Sequence, residues 1–360
     1  MKKTLCVAST PYQLLVLLFI KDAYLKDAQV DLVITDKTPS MIELYQSNRL
    51  EKVFSKIYFA DARKIKNPYK NALVTLWESF IYNRTTDIIM DKPLGIYDEC
   101  FYASPGIPDE VVKEIAKTLI KKNRKILFHR YEDGFASYTK IPYHVVNTEL
   151  GMKLYKTLFR YDLSQMEKDL YVFEPDMIET ASDFTPVKID KTDESIREVI
   201  SLAKELFDFK SNPPKANTIF LGQGTRNGME NADTYQRLIR RLANLVKDKA
   251  SADQFCIKPH PRGEFDNFGD EFFVYKDSCP MELSIANGDM EEKTLISFYS
   301  TACVSGKLLF NSNCKIIFLY PLCEDSFNEK CDYEHYFQTF CKLYPNVYVA
   351  KSWEDLEALI

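Results

Sequence analysis

The sequence predicts an α/β protein of two doubly wound domains facing a central cleft, and three observations carry that expectation. At 360 residues the chain exceeds one ordinary core and suits two domains of roughly 150 residues each. Short runs rich in Val, Ile, Leu and Phe alternate with stretches of helical length, the pattern of βαβ units and a mostly parallel sheet. The alternation loosens near the middle and then restarts, as a second domain requires.

In order, "TLCVAS" (4–9) reads as a strand and "PYQLLVLLFIKDAYL" (11–25) as a helix, with Pro11 at a tolerated first-turn position. "QVDLVIT" (29–35) is the next strand, and Ser40 is placed to cap the helix "MIELYQSNRL". "VFSKIYFA", "GIYDECFYAS" and "KILFHRY" give three more strands, with helical stretches around 68–82 and 108–122. From 156 to 215 the pattern is polar and turn-rich, around one amphipathic helix at 195–207, and reads as an interdomain connection between domains at 1–155 and 216–360. The second half runs from the strand "NTIFLG" to a helix over 233–248 and the strands "QFCIK" and "EFFVYK". A short helix at "PMELSIAN", the strand "TLISFYS", the helix "TACVSGKLLFN", the strand "CKIIFLYP" and the helix "SWEDLEALI" follow. Facing domains of this kind gather the carboxyl ends of their strands around one cleft, where such sheets bind ligands.

Composition narrows the class. A net charge of −5 without a long block of like charge argues against nucleic acid as a partner. Nine cysteines without a C-x-x-C pair point to buried free thiols in a reducing compartment, neither a disulfide scaffold nor a zinc site. No run approaches the ~18 apolar residues of a membrane span. The expected location is cytoplasmic, with peripheral contact at the inner face of the cell membrane left open, as is a homodimer.

Four short stretches could carry chemistry, each at an expected strand end. "YEDG" sets Glu132 and Asp133 before Gly134, a residue that permits a positive φ and so could aim an acid into the cleft; a surface turn is the alternative. "CIKPHPRGEF" holds His260 between Pro259 and Pro261, with Lys258 and Arg262 nearby, a stiff cationic setting suited to phosphate, or a rigid basic turn. "SFYSTACVSG" places Ser300 and Thr301 where a strand gives way to a helix, as phosphate ligands or as a plain N-cap pair. Glu282 of "PMEL" could accept ribose hydroxyls or be a solvated helix acid. Two weaker signals are Thr10 and Gln13 at the first strand–helix turn, and Gly222 and Gln223 of "GQGTRNG", which lacks P-loop spacing. With four histidines and no Asp-x-Asp pair, no metal and no cofactor is expected.

The order E-D-G, then H-P, then S-T resembles the bacterial sialyltransferases, and "STPYQLL", "FLGQG" and "PMEL" look most like glycosyltransferase family 52, the lipooligosaccharide and capsule enzymes. That resemblance, over residues 4 to 310, implies a GT-B fold with CMP-sialic acid as donor substrate and the nucleotide on the C-terminal domain. It implies inverting, metal-independent transfer to a galactose-terminated glycan, through an α2,3 link. By the same resemblance Asp133 is the general base, and His260 binds and stabilises the departing CMP phosphate. Gly222, Gln223, Lys258, Pro261, Ser300 and Thr301 line the donor site and Glu282 holds the ribose. Thr10, Gln13, Glu132 and Gly134 line the sugar and acceptor pocket. In the family the base can instead be an acid in the loop after the second domain's first strand, which here offers Glu230 and Asp233. A family 52 enzyme with another nucleotide sugar, and a non-catalytic nucleotide-sugar-binding protein, remain the alternatives.

Overall fold

The computed structural model describes residues 1–64, 89–103, 110–139, 157, 163–178, 184–222, 232–260, 268, 270–276, 279–326 and 333–360. Two compact units divide the chain, Met1–Phe207 and Asp208–Ile360.

In the first unit the described residues form a seven-stranded sheet. Its strands are β1 (Lys3–Ala8), β2 (Gln29–Thr35), β3 (Ile57–Ala60), β4 (Glu99–Ala103), β5 (Leu127–Tyr131), β6 (Glu167–Val172) and β7 (Thr185–Lys188), in the order β3-β2-β1-β4-β5-β6-β7. Every pairing is parallel. The chain winds outward from β1 to β3 and then returns to pair β4 beside β1, so the order reverses there. At such a reversal, connections leave the strand ends in opposite directions and open a crevice at the carboxyl edge.

Helix α1 (Pro11–Tyr24) follows β1 directly, and its apolar run from Leu14 to Ile20 is buried on every side, as the lack of a polar stripe dictates. Helix α2 (Pro39–Gln46) has Thr38, not Ser40, at its N-cap position, without a side-chain cap bond: Pro39 takes the first helical position and Ser40 falls inside the helix. Helix α3 (Glu110–Lys122) buries Val111, Val112, Ile115, Ala116, Leu119 and Ile120, one amphipathic face, on the sheet. The helix expected over 68–82 lies outside the described residues.

The stretch read as a connection is the correction. Strands β6 and β7 and helix α4 (Asp193–Leu206) belong to the first unit, which ends at Phe207. They escaped because β7, "TPVK", is an edge strand of the sheet among the described residues, and at an edge proline and lysine are tolerated where a central strand would refuse them. Strand β6 carries Glu167 inward, where its carboxylate accepts from Arg130 Nε at 2.7 Å, both side chains being buried. A buried ion pair of that kind does not read as strand in a hydropathy pattern.

The second unit repeats the winding. Its described strands β8 (Thr218–Leu221), β9 (Phe255–Lys258), β10 (Phe273–Val274), β11 (Thr294–Ser297), β12 (Lys315–Phe318) and β13 (Val347–Val349) form a sheet ordered β10-β9-β8-β11-β12-β13. All its pairs are parallel. Its helices are α5 (Ala232–Lys249), α6 (Met281–Ala286), α7 (Thr301–Phe310), α8 (Tyr333–Leu343) and α9 (Trp353–Leu359). Strand β13 and helix α8 were not expected: "VYV" is too short to show periodicity. The doubly wound class is therefore borne out in each unit. Described cysteines are free thiols, six of them buried. No helix among the described residues is long and apolar enough to cross a membrane.

Helices α6 and α7 touch at Gly306. A Cβ there would lie 2.6 Å from Ile285 Cγ2 and 3.0 Å from Ser312 Oγ. Gly306→Ala should therefore push α6 from α7 and cost about 1–3 kcal/mol. Ile285→Ala in the same chain should recover part of that loss; denaturant midpoints of the single and double variants check both outcomes.

Candidate active site

In the first unit the site is built by two neighbouring connections, β1 to α1 and the turn after β5. Thr10 caps α1 in extended geometry, its hydroxyl accepting from Gln13 N at 3.2 Å. The helix start aims Tyr12 and Gln13 at the chain after β5. Tyr12 donates its hydroxyl to Glu132 Oε1. Gln13 donates Nε2 to Asp133 Oδ1 at 2.9 Å, while its Oε1 accepts from Ser9 N at 2.7 Å. Gly134 takes φ 75°, the left-handed conformation its place in the motif suggested. The turn then closes on itself: Asp133 N donates to Ser137 Oγ at 2.8 Å, and Ser137 N donates to Gly134 O at 3.0 Å.

The two acids have different fates. Asp133 is half-buried beside Gln13. Glu132, expected to line the sugar pocket, is fully buried instead, with both oxygens engaged. Oε1 accepts from Tyr12, and Oε2 accepts from the Tyr138 hydroxyl and, at 3.1 Å, from Phe173 N. It ties α1, the turn and the end of β6 together, and it leaves no oxygen for a ligand. Burial pushes its carboxyl up to about 7, against the pull of the two tyrosines, the Phe173 amide and the Lys191 charge. Lys191 is itself lowered to about 8 by burial, with Glu174 and Glu132 opposing.

In the second unit the residues flank the reversal between β8 and β11. Gly222 follows β8 and donates its N–H to Lys258 O at 2.9 Å, holding the ends of β8 and β9 level. Pro259 and His260 follow β9, and His260 is half-buried. Lys258 Nζ lies 4.8 Å from the Tyr275 ring centre. Ser300 is the N-cap of α7, its Oγ accepting from Ala302 N at 3.3 Å, and Thr301 opens the helix. The cap is anchored from below: Ser300 N donates to Ser297 Oγ at 3.1 Å, and that hydroxyl donates to Leu221 O at 3.1 Å. The amides of Ser300, Ala302 and Cys303 are thus spent on the cap, Cys303 N donating to Ser300 O at 3.1 Å, and what this end of the ten-residue helix offers an anion is its dipole and the Ser300 and Thr301 hydroxyls.

Glu282 is not the solvated acid considered above. It is 8% exposed, and burial raises its carboxyl, opposed by its own backbone N–H, the Ser305 hydroxyl and the Lys258 charge. Asp233 sits exposed in the first turn of α5, where the helix dipole favours an acid. Gln223, Glu230 and Pro261 lie outside the described residues. Tyr12, Tyr138, Ser297 and Ser305 were missed: Tyr12, Ser297 and Ser305 have partners distant in the chain, at Glu132, Leu221 and Glu282, whereas Tyr138 lies only six residues from Glu132 and could have been sought beside the E-D-G motif.

Glu132 makes stability depend on pH. Its folded pKa exceeds the unfolded value, so the native state holds the extra proton between about 4.5 and 7. Stability should fall as pH rises through that window and level off above it. Relative to Glu132→Gln, which cannot ionise, the parent protein should lose on the order of 3 kcal/mol between pH 4 and 8. Urea melts of both proteins across that range measure the difference.

The family model for alpha-2,8-polysialyltransferase (POLYST) matches residues 4–317. No curated protein sequence matches the chain. Among solved structures, Arabidopsis thaliana UGT89C1 complexed with UDP shares 12% identity over 99% of this chain and 88% of its own, with a TM-score of 0.49. Acinetobacter baumannii MurG shares 12% identity over 97% of this chain and 85% of its own, with a TM-score of 0.44. S. aureus MnaA with UDP shares 11% identity over 95% and 88%, with a TM-score of 0.42. Because the family match runs through both units and spans the E-D-G, H-P and S-T motifs, the chain belongs to the alpha-2,8-polysialyltransferase family, a family of sialyltransferases.

Proposed function

We propose that the protein transfers sialic acid from CMP-sialic acid to the terminal sugar of a bacterial surface glycan, such as lipooligosaccharide or capsule, at the cytoplasmic face of the membrane. The observation that carries the proposal is the family match over residues 4–317. Support comes from the geometry of the carried-over motifs, since Asp133, His260 and Ser300 each follow the carboxyl end of a strand in a doubly wound sheet.

In this reading Asp133 takes the proton of the acceptor hydroxyl as that oxygen forms a bond to the anomeric carbon. The bond from that carbon to the phosphate oxygen breaks on the opposite side, which inverts the configuration. The electron pair leaves with CMP, and its charge is met by His260, by Lys258 and by the hydroxyls of Ser300 and Thr301. Phosphate is a good enough leaving group for these hydrogen bonds to replace a metal. Glu282 takes the ribose hydroxyls, and Thr10 and Gly134 border the sugar. For the acceptor, the first reading is a terminal galactose joined through α2,3. The name of the matched family favours a second, a terminal sialic acid joined through α2,8.

Labelled CMP-sialic acid offered with lactose and, separately, with sialyllactose tests both. Transfer should occur without added metal and survive EDTA, and the acceptor used decides the linkage reading. Asp133→Asn and His260→Ala should each lower kcat by about 10²–10⁴-fold. Full activity in Asp133→Asn, with loss in Glu230→Gln or Asp233→Asn, would move the base to the second unit. Thermal protection by CMP without any transfer or donor hydrolysis would make the protein a binding module.

A further inference from the structure

The amide of Gln13 has only one workable orientation. Ser9 N–H is an obligatory donor, and at 2.7 Å it must meet the amide oxygen. The amide nitrogen is thereby turned to Asp133 Oδ1 at 2.9 Å, where it can only donate. Gln13 is 6% exposed, so solvent offers little to replace either bond. A donor fixed in this way favours a carboxylate over a carboxylic acid at position 133 and holds one of its oxygens in place.

We propose that Gln13 is a positioning residue for Asp133: it keeps the carboxylate ionised and aims it, instead of binding the sugar as the family resemblance implied. This rests on the proposed role of Asp133 as the base. The adjoining contact strengthens it, because Tyr12 and Gln13, consecutive on α1, grip Glu132 and Asp133, consecutive after β5. The helix and the turn are thus held in one register by two bonds side by side. Other titratable or charged groups around the turn are Glu132, Tyr131, Tyr12, Tyr138, Lys191 and Glu174. Of these, Glu132 is occupied by its tyrosines and the Phe173 amide. Tyr131 donates its hydroxyl to Val7 O at 2.6 Å.

Replacing one atom isolates the effect. Gln13→Glu keeps an oxygen for Ser9 N–H but sets a second carboxylate against Asp133. Two carboxylates at this distance do not both ionise freely and tend to share a proton. With CMP-sialic acid saturating, the acid limb of the kcat–pH profile should move up by at least one pH unit in Gln13→Glu. Its kcat at pH 7 should fall about tenfold, with KM for the donor changed less than twofold. A profile that superimposes on that of the parent protein overturns the proposal.

Thermal melts decide the contact independently of turnover. Gln13→Glu should lower Tm at pH 8 and much less at pH 5, where the pair holds a proton. Gln13→Glu with Asp133→Asn, which exchanges donor and acceptor, should regain the parent Tm at pH 8 while staying inactive. A Tm loss that is equal at both pH values, or unrelieved in the double variant, refutes the contact. If the parent protein shows no turnover of CMP-sialic acid, the functional proposal fails, and the melts still decide whether Gln13 holds Asp133.

Discussion

The first unit depends on one constraint: Glu132 must be buried, and a buried carboxyl must be hydrogen-bonded. Its partners come from three places, the first turn of α1, the short helical turn at Ala136–Thr139 and the end of β6. None of these is near another in the chain except through this side chain; Tyr12 and Glu132 are 120 residues apart. Satisfying Glu132 therefore fixes where the turn after β5 sits against α1, and Asp133 inherits that position as the next residue. Gly134 completes the arrangement by reversing the chain in a conformation that costs other residues more.

The second unit solves the same problem with hydroxyls. Ser297, buried at the end of β11, receives Ser300 N–H and passes its own proton to Leu221 O on the neighbouring strand. The cap of α7 is thus wired to two strands at the point where the sheet order reverses. Beneath it, Glu282 and Ser305 put a buried acid and a hydroxyl between α6 and α7, which approach closely because residue 306 has no side chain. A rigid helix start is what an anion site requires, since displaced donors lose most of their value.

Much of this was legible, and the reasons differ by residue. Strands such as "QVDLVIT" and "KIIF" are covered on both faces, and their continuous apolar runs announce it. The edge strand "TPVK" and the charged strand "EKDLYV" carry no such signal, so the end of the first sheet reads as a linker, and the three-residue "VYV" is equally silent in the second. At the site, Asp133, Gly134 and Ser300 were found because a local motif names them. The division of labour between Glu132 and Asp133 was not, because two adjacent acids look alike until their burial is known. Gln13 was singled out, but its partner was invisible: a contact with Asp133 across 120 residues leaves no mark in spacing.

The thiols have a use beyond packing. Cys6 and Cys100 sit on adjoining strands of the first sheet, whereas Cys256, Cys303, Cys314 and Cys323 are distributed through the second unit. Desolvation raises all of them, Cys256 to about 12, so alkylating reagents should meet unreactive sulfur in the closed state. Each unit accordingly contains its own chemical clock: the rate at which its buried sulfurs become modified, read apart from half-buried Cys279 and Cys341, reports how often that unit opens, without any label being introduced.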